Sequence, residues 1–193
     1  MARTQAADYD QRREAIVDKA AVLYASRGFH GASMSDLAAA CGMSKSLLYH
    51  YYGSKEMLLY EVMASHIDQL IEDLEEVVGG GTSPTDTFSR LIHAFMRHYV
   101  GAADRQTVLL NDLENLPAAK KAIIVAKQRR LVEEMQRILS EVLPDEDNPA
   151  RQRVRTMLIF GMINWTHTWY DPKGSVGADE LADMAIEIAL GGR

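Results

Sequence analysis

An all-α fold of about nine helices is what this chain predicts, on three observations. Apolar residues recur with the 3.6-residue helical period in nearly every long segment, alternation with period two is almost absent, and Gly, Pro and Ser stand where helices must stop or start. The first helix is expected from about Asp10 to Arg27, with Ile16, Ala20, Leu23 and Tyr24 inward and Gly28 as its terminating glycine. The second is short: Met34, Leu37, Ala38 and Cys41 at i, i+3, i+4 and i+7 make one apolar stripe, and Ser33 precedes them as N-cap. Gly42 is free to take positive φ in the turn that follows, and Ser44 caps a third helix whose Leu48 and Tyr52 face inward. A fourth helix starts at Ser54, its cap, and reaches about Val78, where GGGTSP (79–84) breaks the chain. Pro84 at the first helical position opens a fifth helix that ends at Gly101. The sixth spans Asp104 to Leu116 and stops at Pro117, and the seventh spans Ala118 to Leu143 and is ended by PDEDNP (144–149). The last two, about Ala150 to Tyr170 and Ala178 to Leu190, are joined by the turn-rich DPKGSVG (171–177).

The third helix carries the most specific chemistry. Lys45, Ser46, Tyr49 and His50 form two i,i+4 pairs on its outer side, which offers hydrogen-bond donors and a cation but no acid. A short helix with a packed back and such a face is the physical form of the recognition helix in a helix-turn-helix. Lys45 and Ser46, in its first turn, are the candidates for base edges in the major groove. Tyr49, His50, Tyr51 and Lys55 are the candidates for sugar and phosphate, and Lys55 lies in the first turn of the fourth helix, whose free amides also attract phosphate. Ser33 and Ser44 complete the candidate DNA-binding set. Residues 1–60 hold 7 Lys+Arg against 6 Asp+Glu and residues 61–193 hold 14 against 21, so the local positive charge that phosphate contact requires is confined to the N-terminal segment.

These N-terminal residues follow an ordered pattern: Gly28 and Phe29, the cap Ser33, Leu37 and Ala38, Gly42, Met43, Ser44, Leu48 and Tyr49, Tyr52, then Ser54, Lys55 and Glu56. The pattern resembles that of the TetR family of one-component transcriptional repressors, with Met43 where Val is usual and Tyr52 where Phe is usual. The resemblance implies a helix-turn-helix DNA-binding domain at 1–53 and a helical ligand-binding and dimerisation domain at 54–193. It also implies a homodimer on double-stranded DNA with a palindromic operator.

Other classes are excluded or unsupported. Cys41 is the sole cysteine, so neither an intrachain disulfide nor a cysteine-based zinc site can form, which fits a reducing, cytoplasmic setting. The N-terminal MARTQAADYDQRREA lacks an apolar secretory core, and no run of about 18 apolar residues occurs, so neither export nor a membrane span is expected. No nucleophile elbow, phosphate loop, dinucleotide fingerprint or metalloprotease motif is present, so no catalytic residue and no cofactor is assigned. Among the six histidines, His93 and His98 are five apart and are expected on different faces, and His66 and His167 have no ligating partner at helical spacing, so no metal site is assigned. Glu72, Asp73, Glu75 and Glu76 form the wet face of the fourth helix.

The eighth helix, with Met157, Leu158, Phe160, Gly161, Met162, Ile163 and Trp165, is apolar nearly all round and must be covered on more than one side. A second subunit is the simplest cover, with Met157, Phe160 and Gly161 meeting Ala182, Ala185, Ile186 and Ala189 of the last helix in a four-helix seam. Trp165 and Trp169 at i and i+4 are expected to stack along one face beside Asn164 and Thr168. With Phe95, Met96, Tyr99, Leu109, Leu110 and Leu113 they form the candidate wall for a small apolar ligand, although such a stripe is more often plain core. LLNDLENLP and NWTHTWYDPKG together are similar to a TetR subgroup that senses acyl-CoA thioesters, whose phosphates would call on Arg90, Arg97, Arg129 or Arg130. A multidrug-sensing repressor is the alternative within the family. A helical small-molecule carrier or enzyme is the alternative from another class, and it has no use for the outward set Lys45, Tyr49 and Lys55.

Overall fold

The computed structural model describes residues 2–144 and 148–191, with side chains described from residue 8 onward. Nine α-helices occur among them: α1 Ala2–Gly31, α2 Met34–Ala40, α3 Lys45–Tyr51, α4 Lys55–Gly79, α5 Pro84–Gly101, α6 Ala103–Asn111, α7 Ala118–Val142, α8 Pro149–Asn164 and α9 Ala178–Leu190. Short 3₁₀ segments, Leu113–Asn115 and Trp165–Thr168, follow α6 and α8.

Packing divides the chain into two compact units, residues 1–66 with 104–124 and residues 67–103 with 125–193. In the first, Ile16, Ala20 and Tyr24 of α1 are buried, as are Leu37 of α2, Leu48 of α3, Leu58, Val62 and Met63 of α4, and Val108 of α6. Burial of each large side chain contributes about 1.5–3 kcal/mol, which is what holds helices as short as α2 and α3 in place. Polar ties bind α6 within this unit. Arg105 reaches Glu14 and Asp18 of α1 and the Ser65 hydroxyl of α4, and the buried pair His66 and Gln106 meets at 2.6 Å. In the second unit α5 turns Phe88, Leu91, Ile92, Phe95, Met96 and Tyr99 inward, and α9 packs along it.

Three elements differ from the sequence-based expectation. The first helix starts eight residues earlier than Asp10; it is interrupted at Gly28 as expected, since φ 69° and ψ 164° are non-helical, and residues 29–31 form a separate short turn beyond the glycine. The sixth helix stops at Asn111 and not at Leu116, because the buried Asp112 carboxylate accepts the Phe29 backbone N–H at 3.3 Å and the Asn115 amide at 2.9 Å. The eighth stops at Asn164 and not at Tyr170, tightening into 3₁₀ geometry as Thr166, His167 and Thr168 turn back onto the carbonyls of Ile163, Asn164 and Trp165. Elsewhere the punctuation acts as expected, with Pro84 opening α5 and Gly191 at φ 72° closing α9. Of the expected terminator PDEDNP, residues 145–147 lie outside the described residues. Asn148 caps α8 by accepting the N–H groups of Ala150 and Arg151.

Candidate nucleic-acid interface

Local sequence builds the α2–α3 hairpin. The Ser33 hydroxyl accepts the Asp36 N–H at 3.1 Å, and the Asp36 carboxylate accepts the Ser33 N–H at 2.9 Å, so two orphan donors of α2 are satisfied reciprocally. These hydrogen bonds from Ser33 hold the Asp36 carboxyl below its usual range. Beyond Cys41 the N–H of Gly42 bonds to Ala39 O at 3.1 Å and that of Met43 to Ala38 O at 3.0 Å, the paired bonds of a Schellman turn, with Gly42 at φ 65°. Ser44 then caps α3 by accepting the Leu47 N–H at 3.2 Å, and its hydroxyl lies 3.0 Å from that of Ser46. Ser33 and Ser44 are therefore occupied in shaping the turn.

The two sides of α3 separate as expected. Leu48 and Tyr52 are buried, while Lys45, Ser46, Tyr49 and His50 are exposed on a helix that carries no carboxylate. Tyr51 and Lys55 are less free than their sequence position implied. Tyr51 is half-buried, with its ring stacked on Tyr9 at 4.9 Å and edge-on to His50. The Lys55 ammonium lies 4.1 Å from the centre of the Phe29 ring, which fixes its stem and leaves a positive end at the start of α4. Ser54 caps that helix through the Met57 N–H at 3.1 Å. Sequence reasoning missed Tyr9 because residues 2–10 show no apolar stripe. It also missed the Asp36 half of the capping box, although a serine followed three residues later by an acid was there to find.

The second unit redistributes the candidate dimer residues. Phe160, Ala182 and Ala185 are buried within the chain, Phe160 against Phe95, and so belong to its own core and not to an intersubunit seam. The reason is register: α9 lays its Ala182/Ala185 side against α5, and a flank about 110° round the helix exposes Met184 and Ile188. Met157 and Gly161 are exposed and Ile186 and Ala189 are half-buried, while Val154 and Leu158 of α8 extend the exposed apolar strip, Leu158 at 69%.

The candidate ligand wall also changes. Phe95, Met96 and Tyr99 are buried in the second unit, Phe95 and Tyr99 stacked on one another. In the first unit Leu109 is buried, Leu113 half-buried and Leu110 exposed. The expected Trp165–Trp169 stack does not form, because both residues fall in or beside the 3₁₀ turn, where i and i+4 no longer align. The indoles are 63% and 58% exposed and pair edge-on with His167 and Tyr170, beside a half-buried Asn164 and an exposed Thr168.

Of the candidate cations, Arg97 pairs with Asp179 at 3.0 Å and Arg130 with Glu75, whereas Arg129 is exposed. Arg90 and Arg97 share a groove of about 750 Å³ with Asp73, Glu76, His93 and His98. The two histidines expected on different faces thus flank one groove, since residues five apart on a helix stand about 140° apart and can border the same strip. His93 faces Asp183 at 3.1 Å and His98 faces Asp73 at 3.9 Å. Burial pushes the Asp73 carboxyl up, against the pull of His98. Among the described residues no three His, Cys, Asp or Glu side chains are grouped to hold a metal, and no helix is long and apolar enough to cross a membrane.

Residues 16–62 match the profile of bacterial regulatory proteins of the tetR family, and residues 81–193 match that of the tetracyclin repressor-like C-terminal domain. The chain belongs to the TetR family. A TetR-family transcriptional regulator from Bordetella parapertussis 12822 superposes with a TM-score of 0.90 at 39% identity, covering 93% of this chain and 94% of its own. The crystal structure of AibR in complex with isovaleryl coenzyme A and operator DNA superposes with a TM-score of 0.81 at 26% identity, covering 92% of this chain and 97% of its own. The HTH-type transcriptional repressor KstR2 of Rhodococcus jostii (strain RHA1) is 26% identical over 187 residues, spanning 94% of this chain and 90% of KstR2. As in the rest of the TetR family, the helix-turn-helix here is a DNA-binding one, and the chain is a transcriptional regulator and not an enzyme.

Proposed function

We propose that this TetR-family regulator is a homodimeric repressor that leaves its palindromic operator when an acyl-CoA thioester binds the helical region 54–193. The observation that carries the DNA half is the outward, acid-free set Lys45, Ser46, Tyr49 and His50 on a helix fixed by its caps and by Leu48. Lys45 and Ser46 read base edges. Tyr49, His50 and Lys55 hold sugar and phosphate, with Tyr51 at the rim. Support for repression comes from the KstR2 relative. Support for the thioester comes from AibR, a TetR-fold protein of comparable identity that binds isovaleryl coenzyme A.

Exposed apolar side chains on two neighbouring helices support the dimer. Val154, Met157, Leu158 and Gly161 of α8 and Met184 and Ile188 of α9 form the intersubunit face, with Ile186 and Ala189 at its margin. Trp165 and Trp169, too exposed to serve the core, act on the ligand beside Asn164 and Thr168.

Titrating the complex of the protein with a duplex it selects from a random library tests both halves. An acyl-CoA should release the duplex where the matching free acid does not, and Trp165→Ala should abolish release while leaving DNA affinity intact. Lys45→Ala should change sequence preference by about 1–3 kcal/mol, whereas Lys55→Ala should weaken all sequences alike and lower the salt slope by about one phosphate. Release by cationic lipophilic drugs with no response to acyl-CoA esters would replace the thioester reading with a multidrug sensor.

A further inference from the structure

We propose that Tyr9, outside the family-matched segment 16–62, is a positioning residue for sequence discrimination: its ring holds Tyr51 and so sets the tilt of the recognition helix on DNA. Helix α3 has only seven residues, about two turns and roughly 10 Å, so its orientation comes from what it packs against and not from its own stability. Its N-terminal end is fixed by the Ser44 cap and its middle by buried Leu48. Its C-terminal end is fixed by α1.

There the Tyr9 and Tyr51 rings stack at 4.9 Å and 24°. The Arg13 guanidinium lies 5.3 Å from the centre of the Tyr52 ring, and the Tyr52 hydroxyl donates to the Arg13 carbonyl at 3.4 Å. Arg12, paired with Asp8 at 3.2 Å, also interacts with the Tyr51 side chain. The Tyr52 contacts lie on the buried side and serve the fold. The Tyr9 stack lies on the exposed side and serves placement, since Tyr9 is 40% exposed and closes no core. Residues 2–15 of α1, which the family profile does not include, thus lead into a clasp at the far end of α3.

Base-edge contacts demand placement within about 0.5 Å and 10–20°, whereas flexible cations on phosphate tolerate more. Releasing the stack therefore penalises reading of the sequence and spares attachment to the backbone.

The test uses the full chain, a duplex that the wild-type protein selects from a random library, and a scrambled duplex of the same composition. Tyr9→Ala should weaken binding to the selected duplex by about ten-fold, the order of an aromatic pair, with the scrambled duplex and the melting temperature unchanged. Tyr9→Phe should restore wild-type discrimination, because the stack needs the ring and not the hydroxyl. Unchanged discrimination in Tyr9→Ala overturns the proposal. So does an equal loss on both duplexes with a lowered melting temperature, which makes Tyr9 structural only. Failure of Tyr9→Phe to restore discrimination overturns it too, by making the hydroxyl itself the DNA contact.

Discussion

The α2–α3 hairpin and the α8–α9 pair each have one side in a core and another facing out, but they reach that state by different routes. In the hairpin, short-range signals act within a few residues: Ser33 with Asp36, Gly42 between the helices, Ser44 with Leu47. Each has one geometric solution, so the outward set Lys45, Ser46, Tyr49 and His50 follows from them. In α8–α9 the apolar and small residues, Met157 to Ile163 on α8 and Leu181, Ala182, Met184, Ala185, Ile186, Ile188 and Ala189 on α9, spread over an arc wider than one core face, so spacing alone does not say which part of the arc is buried. Packing against α5 selects that part, sending Ala182 and Ala185 inward and Met184 and Ile188 outward. Where a helix is marked by caps and charge its face is local information; where its apolar arc is wider than one core face, the part it buries is a property of its neighbours.

The largest expected effect breaks the α8–α9 half of that contrast. Ala182→Glu places a carboxylate at a fully buried position and should unfold the second unit, since an unpaired buried charge costs several kcal/mol, read as a collapse of the thermal transition. Ile188→Glu, only six residues away but 67% exposed, should keep the melting behaviour of a folded chain and abolish the dimer in sedimentation. Identical behaviour of the two variants would erase the distinction between core and seam. Next in size is Leu48→Ala, which removes the fully buried anchor of α3 and should cost about 2–5 kcal/mol in chemical denaturation, with operator binding lost in parallel. Gly42→Ala forces a Cβ into φ 65° with nothing else in its way, so a loss of about 1–2 kcal/mol isolates the backbone contribution of the turn.

The smallest effect concerns the capping box. The Asp36 carboxyl is held below its ordinary range in the folded chain, so its stabilisation is present above the unfolded-state value and is lost as pH falls through the folded one. The gap in melting temperature between the wild-type chain and Ser33→Ala should therefore be full at neutral pH and narrow on acidification through the carboxylate range. A gap independent of pH would mean that Ser33 caps α2 without help from Asp36.

The site was legible wherever residues act within one turn. Ser33, Gly42, Ser44 and Leu48 were readable because capping, positive φ and apolar spacing are local. Tyr51 and Lys55 were placed on the right elements, but their engagement with Tyr9 and Phe29 depends on helices distant in sequence. The expected tryptophan stack failed for a similar reason. Three side chains return hydrogen bonds to the carbonyls three residues back, so the α-helical period assumed for Trp165 and Trp169 ends at Asn164.

By itself the sequence determined the helices, most of their ends and the chemistry of the recognition helix, because hydrogen-bond closure, backbone permissiveness and helical periodicity operate over four or five residues. Tertiary structure alone decided which face of α9 is core, where α6 yields to the Asp112 carboxylate, and which aromatic ring braces the end of α3. Those outcomes are set by competition among packing partners far apart along the chain, and that competition is resolved only once the partners meet.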